Sequence, residues 1–289
     1  MGLLVVDPAG TRLGSYGTLS QENNGGFASV RSMISSGPTF VPVAKLRRGL
    51  MIVAMTSFIV PAHNEAAVLA ATLDALHAAG RALDEPYELV VADDGSTDET
   101  AAIALRHGAK VVTVAHRQIA ATRNSGARES SGEFLIFVDA DTIVNVAVVR
   151  AAIEALRHGA AGGGAGVTFD GVVPLYAKVM TAALVLAFRA TGLAAGCFVF
   201  CTRRAFEAVG GFDERYFGGE EIILSRALKR QGRFVVLTQS VLTSGRKLRT
   251  HSAREMWSGV ASVAMRGPRG VRQREGMDLW YAPRRKDPG

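Results

Sequence analysis

Two aspartates, Asp139 and Asp141, stand one residue apart at the end of the apolar run FLIFV. In extended backbone, residues i and i+2 project to the same side, so both carboxylates share one face. Like charges that close repel, and one of them tends to keep its proton unless something positive sits there. Magnesium is usually bound through one or two carboxylates plus substrate phosphates, which such a pair could supply. The plainer reading is a strand-end pair used for capping and solvation. A second acidic pair, Asp93 and Asp94, also ends an apolar run, and Gly95 behind it permits close backbone approach to a ligand. A carboxylate there can accept a hydrogen bond from a base N–H or a ribose hydroxyl, while Ser96 and Thr97 serve as turn or cap. A third pair, Glu220 and Glu221, opens a helical segment, where two acids also suit the helix dipole.

The elements around these pairs alternate. SFIVPAHN reads as a strand closed by Pro61, and Asn64 is the expected cap of a helix through EAAVLAATLDALHAAG that Gly80 stops. YELVVADDG is a strand, followed by a helix through STDETAAIALRHG capped by Ser96 or Thr97. KVVTVAH, QIAATRNSGARES, EFLIFVDAD and NVAVVRAAIEALRHG continue as strand, helix, strand and helix, the last stopped by Gly159. Fully apolar strands between amphipathic helices mean a parallel sheet covered on both faces. Ligands bind such sheets at the carboxyl ends of the strands, where PAHNE, DDGSTD and DAD all fall. Beyond residue 160, GGGAGVTF reads as a small-residue strand and PLYAKVMTAALVLAFRAT as a helix. CFVFCTRRAFEAVGGFDE is a strand passing into a short helix, GEEIILSRALKRQG a helix, and RFVVLTQSVLTSG one or two strands.

With 289 residues and 48% hydrophobic content, the chain can bury a sizeable core. Residues 7–50 are rich in Gly, Ser, Thr and Pro without sustained periodicity, and Met51 and Met55 stand just before the first clear strand. Residues 1–54 are expected to be disordered or a mis-called extension. Residues 55–250 are the expected catalytic domain, and 251–289 a basic amphipathic tail. Residues 246–289 hold eleven Lys or Arg against four acids, which accounts for the whole net charge of +7. A basic tail on a mildly acidic body suggests an anionic partner, phosphates or a membrane surface. No nucleic-acid module accompanies it, so nucleic acid is not expected. Met256, Trp257, Val260, Val263 and Ala264 would form one helical stripe in that tail, lying on a membrane or packing on the domain. The opening MGLLVVDPAG lacks the basic start of a secretory signal, and AALVLAFRATGLAAGCFVFC is interrupted by Arg189 and two glycines. The expectation is a cytoplasmic protein, with peripheral contact at the cytoplasmic membrane face and a buried or partly lipid-facing helix. Cys197 and Cys201 lack partners for a zinc set and read as core residues.

In chain order, FIVPAHNEAAVLAATLDAL, VVADDGSTDET, RNSGARESSGEFLIFVDADT, FCTRRAFEAVGGFDE and GGEEIILSRAL resemble glycosyltransferase family 2, nucleotide-sugar transferases of the GT-A fold. The resemblance implies an α/β fold with a mainly parallel, Rossmann-like sheet. It implies that Pro61, Asn64 and Glu65 line the nucleotide pocket, with Asp93 or Asp94, and Arg123, on the nucleobase and ribose. Asp139 and Asp141 would bind a divalent metal, Mg2+ or Mn2+, and the sugar diphosphate. The family usually has Glu-Asp where Glu220 and Glu221 stand; Glu221 occupies the position of the general base, and Glu220 orients it or touches sugar or acceptor. Arg203 and Arg204 would adjoin the site. Arg246, Lys247 and Arg249 could neutralise the leaving diphosphate, and His251 could be a further metal ligand.

The reaction so implied is inverting, metal-dependent transfer from a nucleotide-diphosphate sugar, UDP preferred, to a hydroxyl on a lipid or small molecule. No Q-x-x-R-W signature of processive synthases occurs, so single-sugar transfer is expected. Two rivals use the same residues: a catalytically silent nucleotide-sugar-binding scaffold, since Glu stands for the usual Asp at 221, and a sugar nucleotidyltransferase. The latter normally has a glycine-rich basic loop after its first strand, where this chain has PAHNEA. The same position lacks the G-x-G-x-x-G of an NAD-binding oxidoreductase.

Overall fold

The computed structural model describes residues 54–84, 86–194 and 196–250, together with Ser252, Arg254, Glu255, Ser258, Arg272 and the backbone of five strands within residues 1–53. His251 and the tail stripe at 256–264 lie outside the described residues, as does the side chain of Lys247. The chain divides into two units, Met1–Val53 and Ala54–Gly289.

The first unit is described by the backbone of its strands alone. It holds β1 (Leu3–Val6) paired antiparallel with β2 (Arg12–Tyr16), and an antiparallel sheet of β3 (Leu19–Gln21), β4 (Phe27–Ser32) and β5 (Thr39–Pro42).

The second unit is built on an eight-stranded sheet in the order β10-β13-β11-β12-β9-β6-β7-β8. Its strands are β6 (Thr56–Ala62), β7 (Tyr87–Asp94), β8 (Lys110–Val114), β9 (Phe134–Val138), β10 (Thr142–Ile143), β11 (Ala160–Phe169), β12 (Phe198–Thr202) and β13 (Arg233–Thr243). The run β8-β7-β6-β9 is parallel, as the continuous apolar strands predict. β12 then enters antiparallel to both β9 and β11, and β13 returns parallel to β11. Pro61 lies inside β6 rather than closing it. It pairs toward β7, whereas the β9 ladder ends at Ile59, so the missing N–H costs no bond.

Helices cover both faces. On one, α1 (Leu69–Leu83), α2 (Thr100–Arg106) and α4 (Val146–Arg157) pack Leu69, Leu73, Leu76, Ile103 and Val148 against Phe58, Val60, Val91 and Ile136. On the other, α3 (Ile119–Glu129), α6 (Arg203–Ala208) and α7 (Glu220–Lys229) pack around Ile59, Phe137 and Phe212. The remaining helices are α5 (Leu175–Thr191), between β11 and β12, and α8 (Arg246–Thr250) after β13. Cys197 and Cys201 are buried free thiols on or beside β12, not on a helix.

Two helix starts differ from expectation for one reason. α1 begins at Leu69 and α2 at Thr100, because the capping residues predicted for each serve the neighbouring loop instead. Asn64, at φ 54°, donates its N–H to the Ser96 hydroxyl and accepts from the Thr97 N–H at 2.8 Å. The Glu65 N–H donates to the Thr100 hydroxyl at 2.8 Å, and the Ala66 N–H to Asp98. The loops after β6 and β7 are thereby laced together, fixing the carboxyl-end edge of the sheet. Gly80 does not stop α1, which runs on to Leu83. The ring of Tyr87 lies where a Cβ at Gly80 would stand, 2.6 Å away, so close packing explains that glycine.

Candidate active site

The DAD motif lies where β9 ends. Its Asp139 meets the N-terminus of α7 through a single cation, Arg123 of α3. One guanidinium nitrogen donates to Asp139 at 2.7 Å; the other donates to Glu220 at 2.8 Å and to Glu221 at 3.1 Å. The Arg123 side chain is 2% exposed, so this is a buried four-residue charge cluster. It supplies the positive partner that the strand-end acids demand. Both terminal guanidinium nitrogens are engaged by the acids, while the buried Nε has no partner among the described residues.

The local chain is shaped for this contact. α3 presents eight consecutive buried residues, Ala120 to Ala127, and Gly126 lies so close to the sheet that an added Cβ would sit 2.6 Å from Ile59. That approach leaves Arg123 no route to water, and its carbon face stacks over the Phe212 ring at 5.2 Å. Asp139, Glu221 and Glu220 attract the Arg123 proton, and together they outweigh the burial that would lower its pKa, which is therefore raised.

Glu220 behaves in the opposite way. Burial first, then the Glu221 charge, push its carboxyl up to about 8 despite Arg123, so it is a neutral acid at pH 7 and hydrogen-bonds Glu221. Glu221 is the more accessible of the two, 12% exposed against 4%. The αL backbone of Gly219, at φ 69°, turns the chain into α7 so that both acids fall in its first turn, where the helix dipole favours negative charge.

The loop before α7 is held from α3 by residues to which the sequence reading gave no role. Asn124 donates its amide to the Phe212 carbonyl and the Glu214 carboxylate, each at 2.9 Å, and accepts from the Phe212 N–H. Gln118 donates to the carbonyls of Glu214 and Tyr216. Asn124 sits inside the quoted RNSGA motif, so the motif was visible; its partners, some 90 residues away, were not.

The nucleotide-side residues divide. Asp94 uses both oxygens on the start of α3, accepting from the N–H groups of Arg117 and Gln118 and from the Thr122 hydroxyl. It is a helix cap, which leaves Asp93 as the ligand candidate of the pair; Asp93 accepts one bond, from the Ser96 N–H. Pro61, Asn64 and Glu65 lie along the same edge, with the Asn64 amide committed to the neighbouring loop. Arg203 and Arg204 do not adjoin the site. β12 runs antiparallel to β9, so its end lies at the opposite edge, where Arg203 binds the carbonyls of Gly132 and Ala127.

The metal reading rests on Asp139 and Asp141. The described residues contain no group of three or more His, Cys, Asp or Glu suited to a metal ion. Two carboxylates at a strand end, one of them 29% exposed, nevertheless fit a cation that draws its remaining ligands from phosphates. Beside them, Thr243 bonds Thr142 at 3.0 Å and reaches Asp141, and α8 follows with Arg246.

The family model for glycosyl transferase family 2 matches residues 57–206, just over half of the chain. The chain belongs to glycosyltransferase family 2. Among curated relatives, validoxylamine A glucosyltransferase of Streptomyces hygroscopicus subsp. jinggangensis is 32% identical over 110 residues, 36% of this chain and 26% of that one. Undecaprenyl-phosphate 4-deoxy-4-formamido-L-arabinose transferase of Serratia proteamaculans is 35% identical over 96 residues, 29% of this chain and 28% of that one. The matched stretch therefore spans little more than a quarter of either relative.

Solved structures share the GT-A fold at low identity. The mannosyltransferase PcManGT of Pyrobaculum calidifontis, in complex with GDP-Man and Mn2+, matches with a TM-score of 0.57 at 18% identity, over 78% of this chain and 70% of that one. TarS of S. aureus, residues 1–349 with UDP-GlcNAc, matches at 0.52 and 20% identity, over 66% and 58%.

Proposed function

We propose that the protein transfers one sugar, with inversion, from a nucleotide-diphosphate sugar, UDP-linked by preference, to an acceptor hydroxyl. The observation that carries this reading is the Arg123 cluster. It joins the strand-end aspartate to a pair of glutamates at a helix start, so donor-side and acceptor-side groups share one small volume.

Glu221 is the general base. Glu220 is neutral at pH 7 and the more buried, so it has a proton to give rather than a place for one. Its hydrogen bond to Glu221 and the Arg123 guanidinium hold the base in position, and Glu221 takes the acceptor proton as the hydroxyl attacks. Asp93 accepts a hydrogen bond from base or ribose. Asp139 and Asp141 would hold a divalent ion, Mg2+ or Mn2+, which when bound offsets charge on the diphosphate. Arg246 stands at the same edge to assist the leaving group, with Lys247 and His251 carried forward from the sequence alone. The bonds that change are the anomeric carbon–oxygen bond to diphosphate, which breaks, and a new one to the acceptor oxygen on the opposite face.

The acceptor is a lipid-linked or small-molecule hydroxyl. The Serratia relative's name joins a sugar to undecaprenyl phosphate and the Streptomyces relative's joins glucose to a small molecule. The test is a screen of nucleotide sugars for Mn2+-dependent hydrolysis and transfer, repeated with Asp141→Ala and Glu221→Gln. Asp141→Ala is expected to weaken nucleotide-sugar binding. Glu221→Gln is expected to leave binding within about twofold and cut transfer by about 10²–10⁴. Full activity in both variants would overturn the assignment.

A further inference from the structure

α5 contradicts the usual economy of a folded domain. Of its 17 residues only Ala177 is buried, although the helix reads LYAKVMTAALVLAFRAT. Leu175, Val179 and Leu186 are 76%, 62% and 68% exposed, and Val172 just before them 87%. Leu175, Val179 and Leu186 stand at i, i+4 and i+11, so with Ala182 and Ala183 they make one outward apolar stripe. Most of the large exposed apolar side chains among the described residues lie on this helix or its lead-in.

The surroundings say what covers that stripe. Residues 171–206 contain no Asp or Glu, and Lys178 is exposed on the helix itself. Arg189 and Lys229 flank its C-terminal end, bonded to carbonyls of β13 and to Thr191. At the other end Ala177 packs on Leu248 of α8, the helix that also holds Arg246 and Arg249. An apolar stripe bordered by cations is the pattern of a helix that lies in the plane of an anionic membrane surface. None of the described helices is long and apolar enough to cross one. A second protein copy fits less well. A helix of this length is about 26 Å long, and a stripe about 10 Å wide offers about 250 Å², well short of the about 800 Å² per partner of a stable dimer.

The position of α5 gives the contact a purpose. The helix leaves the sheet at the end of β11 and returns at the start of β12, both on the edge where β9 delivers Asp139. The returning segment donates the Ala194 N–H to Ser225 of α7, and the Cys197 carbonyl accepts from the Asp139 N–H at 3.1 Å. We infer that α5 is a membrane-docking helix that rests its Leu175–Val179–Leu186 stripe on an anionic bilayer, setting the catalytic edge at the lipid surface. The surface contact itself stands without the proposed chemistry; only its purpose rests on that reading.

The test is flotation of the full chain with phosphatidylcholine vesicles, with and without phosphatidylglycerol. Val179→Glu/Leu186→Glu changes only exposed positions, and circular dichroism and thermal unfolding check that it folds. Wild type is expected to float with phosphatidylglycerol vesicles, and the double variant to partition about tenfold less or weaker still. Its basal nucleotide-sugar hydrolysis should match wild type, which separates this inference from the catalytic reading. The inference is overturned if wild type does not float. It is equally overturned if the double variant floats as wild type does while Trp257→Glu does not, which would give the contact to the tail. Light scattering supplies the last outcome against it: a wild-type dimer that the double variant converts to monomer would make the stripe a protomer interface.

Discussion

Replacing Arg123 by Met keeps the bulk of the side chain and removes the cation that, among the described residues, is hydrogen-bonded to Asp139, Glu220 and Glu221 together. Taking one partner out of a buried ion pair costs about 3–5 kcal/mol, because the remaining charge stays desolvated. Three carboxyl groups lose their donor here. Burial and the neighbouring Glu221 push the Glu220 carboxyl toward its neutral form, so it carries less of the uncompensated charge. The lower half of that range, about 3–4 kcal/mol, is therefore expected. For a unit of this size it lowers the thermal midpoint by about 10 °C, taking about 2–4 °C per kcal/mol. Carboxyls without a cation take up protons more readily, so the deficit should shrink when unfolding is measured at pH 5 rather than pH 8. Arg123→Lys should recover part of the stability, since an ammonium keeps the charge but cannot span both sides as the planar guanidinium does. Urea unfolding of the three proteins in EDTA across pH 5–8 gives the numbers. Arg123→Met within about 1 kcal/mol of wild type at pH 8 would refute the claim that this arginine neutralises the acids.

Glu220→Gln should stabilise the metal-free protein at alkaline pH. The folded carboxyl titrates near 8 against an ordinary 4.5, so the stability it contributes is complete below pH 4.5 and is lost as pH rises toward 8. The gain over wild type therefore grows as pH rises through neutrality and vanishes near pH 4.5. Equal stability of the two proteins in urea at pH 8 would show that Glu220 is not held neutral. The two strand-end aspartates of β7 should separate as well. Asp94→Asn should lower the unfolding free energy by about 1–2 kcal/mol through the lost α3 cap, with little change in UDP affinity. Asp93→Asn should do the reverse, read by calorimetric titration with UDP and Mn2+; the opposite pattern would exchange their roles.

The parallel half of the sheet was legible because strands buried on both faces, such as FLIFV and ELVVA, have no alternative to being core. The acidic pairs were legible as chemistry for the same reason: apolar runs do not end in charge without cause. The cation between them was harder to see. Arg123 belongs to a helix whose small residues, Ala120, Ala121, Ser125, Gly126 and Ala127, are buried on several sides, so no amphipathic pattern shows that the arginine points inward. Asn64 and Ser96 looked like caps for their own helices, and in isolation each would serve. Only the adjacency of two loops 32 residues apart turns them toward each other. Arg203 was misplaced for want of one topological fact, the antiparallel entry of β12, which a short apolar strand does not signal. The exposure of α5 was hidden too, since its composition suits a buried helix as well as one facing lipid.

The most direct measurement is diffraction from crystals grown with Mn2+ and UDP, using the anomalous signal to locate the metal. The account predicts a peak coordinated by Asp139 or Asp141, the diphosphate on the same ion, and Arg123 still bonded to Glu220 and Glu221. A metal and nucleotide bound elsewhere on the chain, with the strand-end acids in contact with neither, would contradict it.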